Sequence, residues 1–146
     1  MMKINETAIL KTDKEIEIHA PIGVVWKLLT DIESWPTWHP HISGVKLKGP
    51  VEPGTHFEWK SDGFKLHSVI EEVIENSSIG WIGSGFGTSA VHVWEIIPVI
   101  EGKVLVRTTE SMDGWMVKLF KAKMEKKLNE SLLFWLRALR KTAEPD

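Results

Sequence analysis

Along most of the chain apolar and polar residues alternate one by one, the pattern of a strand with one buried face. Lys14 to His19 reads K-E-I-E-I-H and puts Ile16 and Ile18 on a single face. Ala20-Pro21 follows, and proline suits the first position of a helix. Ile22 to Thr30 then spaces Val25, Trp26, Leu28 and Leu29 to bury one side of a short helix. Asp31 is placed to cap a second helical turn over Ile32, Glu33 and Ser34, with Pro36 and Pro40 ending it.

From Ser43 onward the texture is strands divided by turn residues. Val45 and Leu47 alternate with Lys46 and Lys48, and after Gly49-Pro50 and Pro53-Gly54 the residues Thr55, Phe57 and Trp59 share a face. Ser61-Asp62-Gly63 predicts a tight turn between adjacent strands. Phe64 to Glu75 alternates as far as Ile70, and Glu71-Glu72 breaks the phase, which predicts a bulge. A short strand over Ser78 to Gly83 leads into a flexible, glycine-spaced stretch around Phe86. Ala90, His92, Trp94 and Ile96 then face one way and Val91, Val93, Glu95 and Ile97 the other, with Pro98 expected to end the strand. Gly102 turns the chain into a last strand that puts Val104, Val106, Thr108 and Glu110 on one face and Arg107 on the other.

The period then changes. Met116, Phe120, Met124, Leu128, Leu132, Trp135-Leu136 and Leu139 recur every three or four residues. The spacing predicts one amphipathic helix from Gly114 to Thr142, about seven or eight turns long. The order is strand, two short helices, six strands and a long helix: an α+β chain with a seven-stranded antiparallel sheet. Its apolar face must be covered, and the long helix is the one element large enough to do so. A sheet curved around a helix leaves space that side chains cannot fill, so a cavity is expected between them.

Composition narrows the classes. The 146 residues suit a single domain over 1–146, with its core at about 14–141. Hydrophobic residues at 42% and charged residues at 26% describe a globular chain rather than a disordered one. Cysteine is absent, which rules out disulfide and thiolate chemistry and fits a reducing cytoplasm. The net charge is -2, and Lys118, Lys121, Lys123, Lys126 and Lys127 are interleaved with Glu125 and Glu130, so they read first as a solvated helix face, with a patch for phosphate or an acidic partner as the minor reading, and not as a nucleic-acid surface. Met1 to Leu10 lacks the apolar run of a signal peptide or anchor, and no segment reaches the ~18 apolar residues of a spanning helix. The expectation is a cytoplasmic protein that neither binds nucleic acid nor inserts in a membrane. Oligomeric state is not legible. Eight tryptophans and no tyrosine mean that large apolar rings must line a core, a pocket or an interface.

Several motifs carry a resemblance. I-E-I-H-A-P-I-G-V-V-W-K-L-L-T-D-I-E-S-W-P-T-W-H-P, from Ile16 to Pro40, resembles the opening of the START-like superfamily, also called SRPBCC, and within it the polyketide cyclase/dehydrase-like branch. W-I-G-S-G, H-V-W-E-I-I-P and R-T-T-E-S-M-D-G-W resemble that branch's last strands and the glycine opening its final helix. The likeness runs from Lys14 to Lys141. It implies a helix-grip fold: a curved sheet of order β-α-α-β6-α around a C-terminal helix. Members include lipid and hormone carriers, aromatic cyclases, hydratases and chaperone-interacting domains, so fold alone does not decide function.

Alternation assigns the pocket lining. Trp59, Trp81, His92, Trp94, Val106, Thr108 and Glu110 face the enclosed side, closed by Met116, Phe120 and Met124 of the helix, while Trp38, Phe86 and Trp115 guard the mouth. Trp26, Trp135 and Leu139 read as core. His92 and Glu110 are the informative pair, since polar groups on an apolar face need a partner. They bond either each other or a ligand hydroxyl or carbonyl. Burial should raise the pKa of Glu110 and lower that of His92, the profile of a general acid/base, unless they form an ion pair. His39-Pro40-His41 falls short of the three or four converging ligands of a metal site and reads as packing beside Trp35 and Trp38, whereas His19, His56 and His67 face solvent. Gly83, Gly85 and Gly87 precede a strand rather than a helix, so no phosphate loop and no cofactor are expected. Three functions remain open: a binder of a small hydrophobic or aromatic molecule, a cofactor-free cyclase or dehydratase using the His92 and Glu110 pair, and a domain that docks a chaperone or other protein.

Overall fold

The computed structural model describes residues 2–145. Its strands are Leu10–Ile18 (β1), Ile42–Leu47 (β2), His56–Ser61 (β3), Phe64–Ile74 (β4), Ser78–Gly85 (β5), Thr88–Ile100 (β6) and Lys103–Asp113 (β7). The helices are Ile22–Thr30 (α1), Trp115–Leu119 (α2) and Lys121–Ala143 (α3), with a 3₁₀ turn over Ile32–Thr37. All seven strands form one antiparallel sheet of order β1-β7-β6-β5-β4-β3-β2, curved around α3: the helix-grip fold.

The turn chemistry acts as expected where it sets register. Asp62 and Gly63 both adopt positive φ, 50° and 82°, so the β3–β4 hairpin closes with Ser61 opposite Phe64. The β4–β5 register shifts between Ile70 and Glu72, at the predicted bulge.

Four boundaries differ from the sequence reading. β1 starts at Leu10, whose side chain is buried, rather than at Lys14. Asp31 makes no side-chain cap, and the following turn is 3₁₀ and contains Pro36. Its bonds run from Ser34 N–H to Asp31 O (3.0 Å) and from Trp38 N–H to Trp35 O (3.1 Å), so the missing proline donor is not needed. Pro98 lies inside β6 and pairs with Val104. The Ile96 N–H points to Ser77 O at 2.8 Å, so the Pro98 nitrogen, two residues on, points the same way, beyond the end of β5. The C-terminal helix is two helices, broken at Phe120 (φ -120°, ψ 41°). Phe120 is in phase with both halves, so the spacing carries no sign of the break.

The N-terminal residues cross the outer face of the sheet. Met2 N–H donates to Glu72 Oε1 (2.9 Å), Asn5 N–H to Ser111 Oγ (3.0 Å) and Ile9 N–H to Asp113 Oδ1 (3.0 Å). The core lies on the inner face around Trp35, which meets Phe57, Trp59, Trp81 and Trp135 at ring separations of 5.1–5.7 Å. Trp35 also donates through Nε1 to Leu29 O at 3.1 Å, tying the 3₁₀ turn to α1. Among the described residues no helix is long and apolar enough to cross a membrane.

Candidate functional site

Alternation on the inner sheet face and helical spacing on α3 converge on a cavity of about 460 Å³ between them. Strands β3 to β7 contribute side chains to it. On β6 the inward residues Thr88, Ala90 and His92 line the space, while Trp94, the next inward residue, is fully buried beneath it. On β7 Met112 and Glu110 line it and Thr108 is buried. Trp59, Leu66, Ser68 and Trp81 complete the wall from β3, β4 and β5, and Trp59 donates through Nε1 to Ser68 Oγ at 3.1 Å. The roof is the α3 stripe Lys123, Met124, Lys127, Leu128, Ser131 and Trp135.

At the mouth, lined by Phe86 and Met116, the backbone makes a tight approach between Gly87 and Gly114. Gly114 takes φ 117°, a conformation that favours glycine, and a Cβ there would collide with the Gly87 carbonyl. Gly87 O also accepts from Met116 N–H at 3.1 Å, so α2 is fastened to the β5–β6 turn.

His92 and Glu110 face each other across one register step of β6 and β7. His92 Nδ1 lies 3.1 Å from Glu110 Oε1, and His92 Nε2 lies 2.7 Å from Thr108 Oγ1. Trp81 and Trp94 flank the imidazole, with ring centroids at 4.9 and 5.4 Å. The side chains are 5% and 15% exposed, so the Glu110 carboxyl keeps a small open edge. Burial lowers the His92 pKa to about 3 and raises that of Glu110 to about 8. The neutral pair is therefore favoured over an ion pair, which would require two charges to leave water. A threonine hydroxyl both donates and accepts, so Thr108 can serve either tautomer of His92.

The cavity gathers eight of the residues singled out from the sequence: Trp59, Trp81, Phe86, His92, Glu110, Met116, Phe120 and Met124. Five others are placed elsewhere. Trp94, Val106 and Thr108 sit one layer deeper, fully buried, with Trp94 covered by Trp135 at 5.5 Å. Trp38 packs against Trp135 (5.7 Å) and His39 (6.2 Å) away from the lining. Trp115 is exposed and stands edge-on to Phe86 at 5.4 Å, behind the mouth rather than in it. Trp135, read as core, is buried yet also lines the cavity, and Trp26 is only half-buried. Leu128, Ser131 and Trp135 follow Met124 by four, seven and eleven residues, so the helical spacing held the signal for them.

His39 is buried against Trp135 and Phe134, with ring centroids at 4.5 and 4.9 Å, and lies outside the lining. Burial, with the His41 charge second, lowers its pKa to about 4. His41 Nδ1 is 3.4 Å from Asp62 Oδ1. Arg107 is on the outer face, 2.9 Å from Glu15. Among the described residues no group of three or more His, Cys, Asp or Glu is arranged to hold a metal ion.

A curved sheet, a gripping helix and a cavity between them define the class: a START-like helix-grip domain. Residues 10–144 match the family described as polyketide cyclase / dehydrase and lipid transport, and the chain belongs to it. Comparison with curated protein sequences gave no match. Among solved structures, a START superfamily protein from Mycobacterium smegmatis superposes with a TM-score of 0.80 at 17% identity, covering 91% of this chain and 96% of that one. An aromatase/cyclase from a Streptomyces species gives 0.81 at 12% identity, covering 92% and 93%. Norcoclaurine synthase from Thalictrum flavum, solved with dopamine and hydroxybenzaldehyde, gives 0.71 at 13% identity, covering 91% and 85%. These likenesses establish the fold.

Proposed function

We propose that the domain binds a small, mostly apolar molecule in this cavity, oriented by a hydrogen bond to Glu110. The observation that carries this reading is a largely buried carboxyl, held in its neutral form by that burial, in a lining where tryptophan, phenylalanine, leucine and methionine predominate. A protonated Glu110 is a hydrogen-bond donor, and it suits a ligand carbonyl or hydroxyl better than a cation. The cavity volume is in the ordinary range for small-molecule sites, roughly 300–1,000 Å³. Burying about 200 Å² of apolar ligand at 25 cal/mol per Å² supplies about 5 kcal/mol before entropic losses, so a polar contact is needed for micromolar affinity.

The test uses a matched pair of probes, 2-acetylnaphthalene and 2-ethylnaphthalene, titrated by calorimetry. The ketone should bind roughly tenfold more tightly, and Glu110→Leu should erase that preference, the loss expected of one buried hydrogen bond. Equal binding of the two probes, or a preference that survives Glu110→Leu, rules out the assigned polar contact.

One observation favours acid–base chemistry as a second reading. In the Glu110–His92–Thr108 chain a proton donor borders the cavity and is oriented from its inner side by a buried imidazole. Glu110 can give its proton to a ligand carbonyl oxygen and, as the resulting carboxylate, take one from the carbon beside it, which yields the enol and restores the acid without a cofactor, while His92 orients the carboxyl. Deuterium uptake at the methyl group of 2-acetylnaphthalene, followed by NMR, distinguishes the readings. A carrier leaves the rate at the buffer value; an acid–base catalyst raises it, and Glu110→Gln abolishes the increase while costing little affinity.

A further inference from the structure

The exposed lysines of α3 do not all stand clear of the cavity. Lys123 and Lys127 fall on the stripe that faces the sheet, in phase with Met124, Leu128 and Trp135, and both line the cavity. Helical amphipathicity calls for apolar residues at those positions. Neither lysine has a carboxylate within ion-pairing distance among the described residues. Lys127 Nζ instead lies over the Phe64 ring, 5.7 Å from its centroid. Glu125 and Glu130 of the same helix are exposed and stand off this stripe.

The roof is therefore graded along α3. It begins with two exposed ammonium groups, passes through Met124 and the buried Leu128, and ends at the buried Trp135. At 1.5 Å per residue the span from either lysine to Trp135 is about 12–18 Å. Of the acidic groups in the lining, Asp62 at the rim faces His41, and Glu110 lies deep beside His92. Among the described lining residues, the two lysines have no ion-pair partner, and the one rim carboxylate, Asp62, is 3.4 Å from His41 Nδ1.

We propose that the ligand is an amphipathic organic anion. Its apolar body, about 10–15 Å long, would lie under α3, with its anionic head at Lys123 and Lys127 and a neutral carbonyl or hydroxyl at Glu110. This deepens the ligand-binding reading above and rests on it. Lysine acts as a point charge without the bidentate geometry of arginine, so a carboxylate, a sulfonate or a phosphate monoester would each satisfy the rim.

Two probes with the same aromatic body separate this proposal from the reading beneath it. 8-Anilino-1-naphthalenesulfonate carries an anion and N-phenyl-1-naphthylamine does not. The expected result is that the intact protein binds the anion roughly tenfold more tightly, and that the advantage shrinks in about 0.5 M salt, as exposed charge pairs are screened. The Lys123→Gln/Lys127→Gln double variant, altered only at exposed positions, should bring the affinity ratio close to one. Neutral-probe binding with no anion preference overturns the proposal and leaves the cavity reading standing. A preference that survives the double variant also overturns it, by placing the anion elsewhere. Failure of both probes to bind overturns the proposal together with the reading beneath it.

Discussion

Glu110 Oε1 stands 3.1 Å from His92 Nδ1, and the Thr108 hydroxyl meets the far side of the same imidazole at 2.7 Å. One edge of this three-residue chain meets the cavity and the other ends in the core. Burial keeps Glu110 protonated and His92 neutral near pH 7.

The pair imposes a pH profile on stability. Glu110 holds its proton more tightly folded than unfolded, so its contribution is complete below its ordinary pKa of 4.5 and is lost as pH rises through about 8. His92 is the reverse: its contribution is complete above 6.5 and is lost as pH falls through about 3. Between 4.5 and 6.5 the two slopes oppose each other, and stability falls on either side. His39, lowered to about 4, steepens the acid limb. Calorimetry should show Tm dropping by several degrees between pH 6.5 and 8, since about 1 kcal/mol moves Tm by roughly 2–4 °C at this size. Glu110→Gln cannot titrate and should remove the alkaline drop alone. An alkaline drop unchanged in that variant counts against the buried neutral carboxyl.

Thr108 holds His92 from below. Thr108→Val keeps the shape and removes the oxygen, which leaves Nε2 buried without a partner, at a cost of about 1–3 kcal/mol. Thr108→Ser retains the oxygen and should lose less. Urea denaturation compares them, and a valine variant as stable as the parent means that the 2.7 Å contact contributes nothing.

Trp135 is both roof and core, in edge contact with Trp35, Trp38, Trp59 and Trp94 at 5.1–6.3 Å. Trp135→Ala should destabilise by about 3–5 kcal/mol in the same assay. A loss below about 1 kcal/mol would mean the rings repack freely, contrary to the dense packing of protein interiors.

Gly114 fixes the mouth. Gly114→Ala places a Cβ against the Gly87 carbonyl in a backbone conformation that alanine disfavours. Amide hydrogen exchange should quicken at Met116, whose N–H bonds Gly87 O, with little change at Leu132 or Leu136. Unaltered exchange at Met116 would show that the close approach does not anchor α2.

Strand order and face are legible because alternation survives along most of the strand residues, interrupted in β4 at the bulge after Ile70, and the resemblance of the opening and closing motifs orders the elements. The inward set Ala90, His92, Trp94 and Ile96 follows from period two alone. Depth was not legible. Ala90 and His92 line open space while Trp94 does not, and that depends on Trp135 descending from another element to cover it. Thr108 and Val106 share the inward face in the same way yet are fully buried. No glycine or proline marks the break at Phe120. The sequence does not separate Lys123 and Lys127 from the other lysines of the helix, because a charged residue on an apolar stripe gains meaning only when the stripe roofs a cavity.

The central claim is that the space between sheet and helix is a binding site, and filling it is the direct test. 2-Acetylnaphthalene titrated into the protein should quench tryptophan emission saturably, since Trp59, Trp81 and Trp135 line the cavity. Ala90→Trp, which plugs the middle of the space, should abolish the saturable component while Tm shows that the domain still folds. Saturable quenching of equal affinity in the plugged variant, or none in the parent protein, would contradict the account.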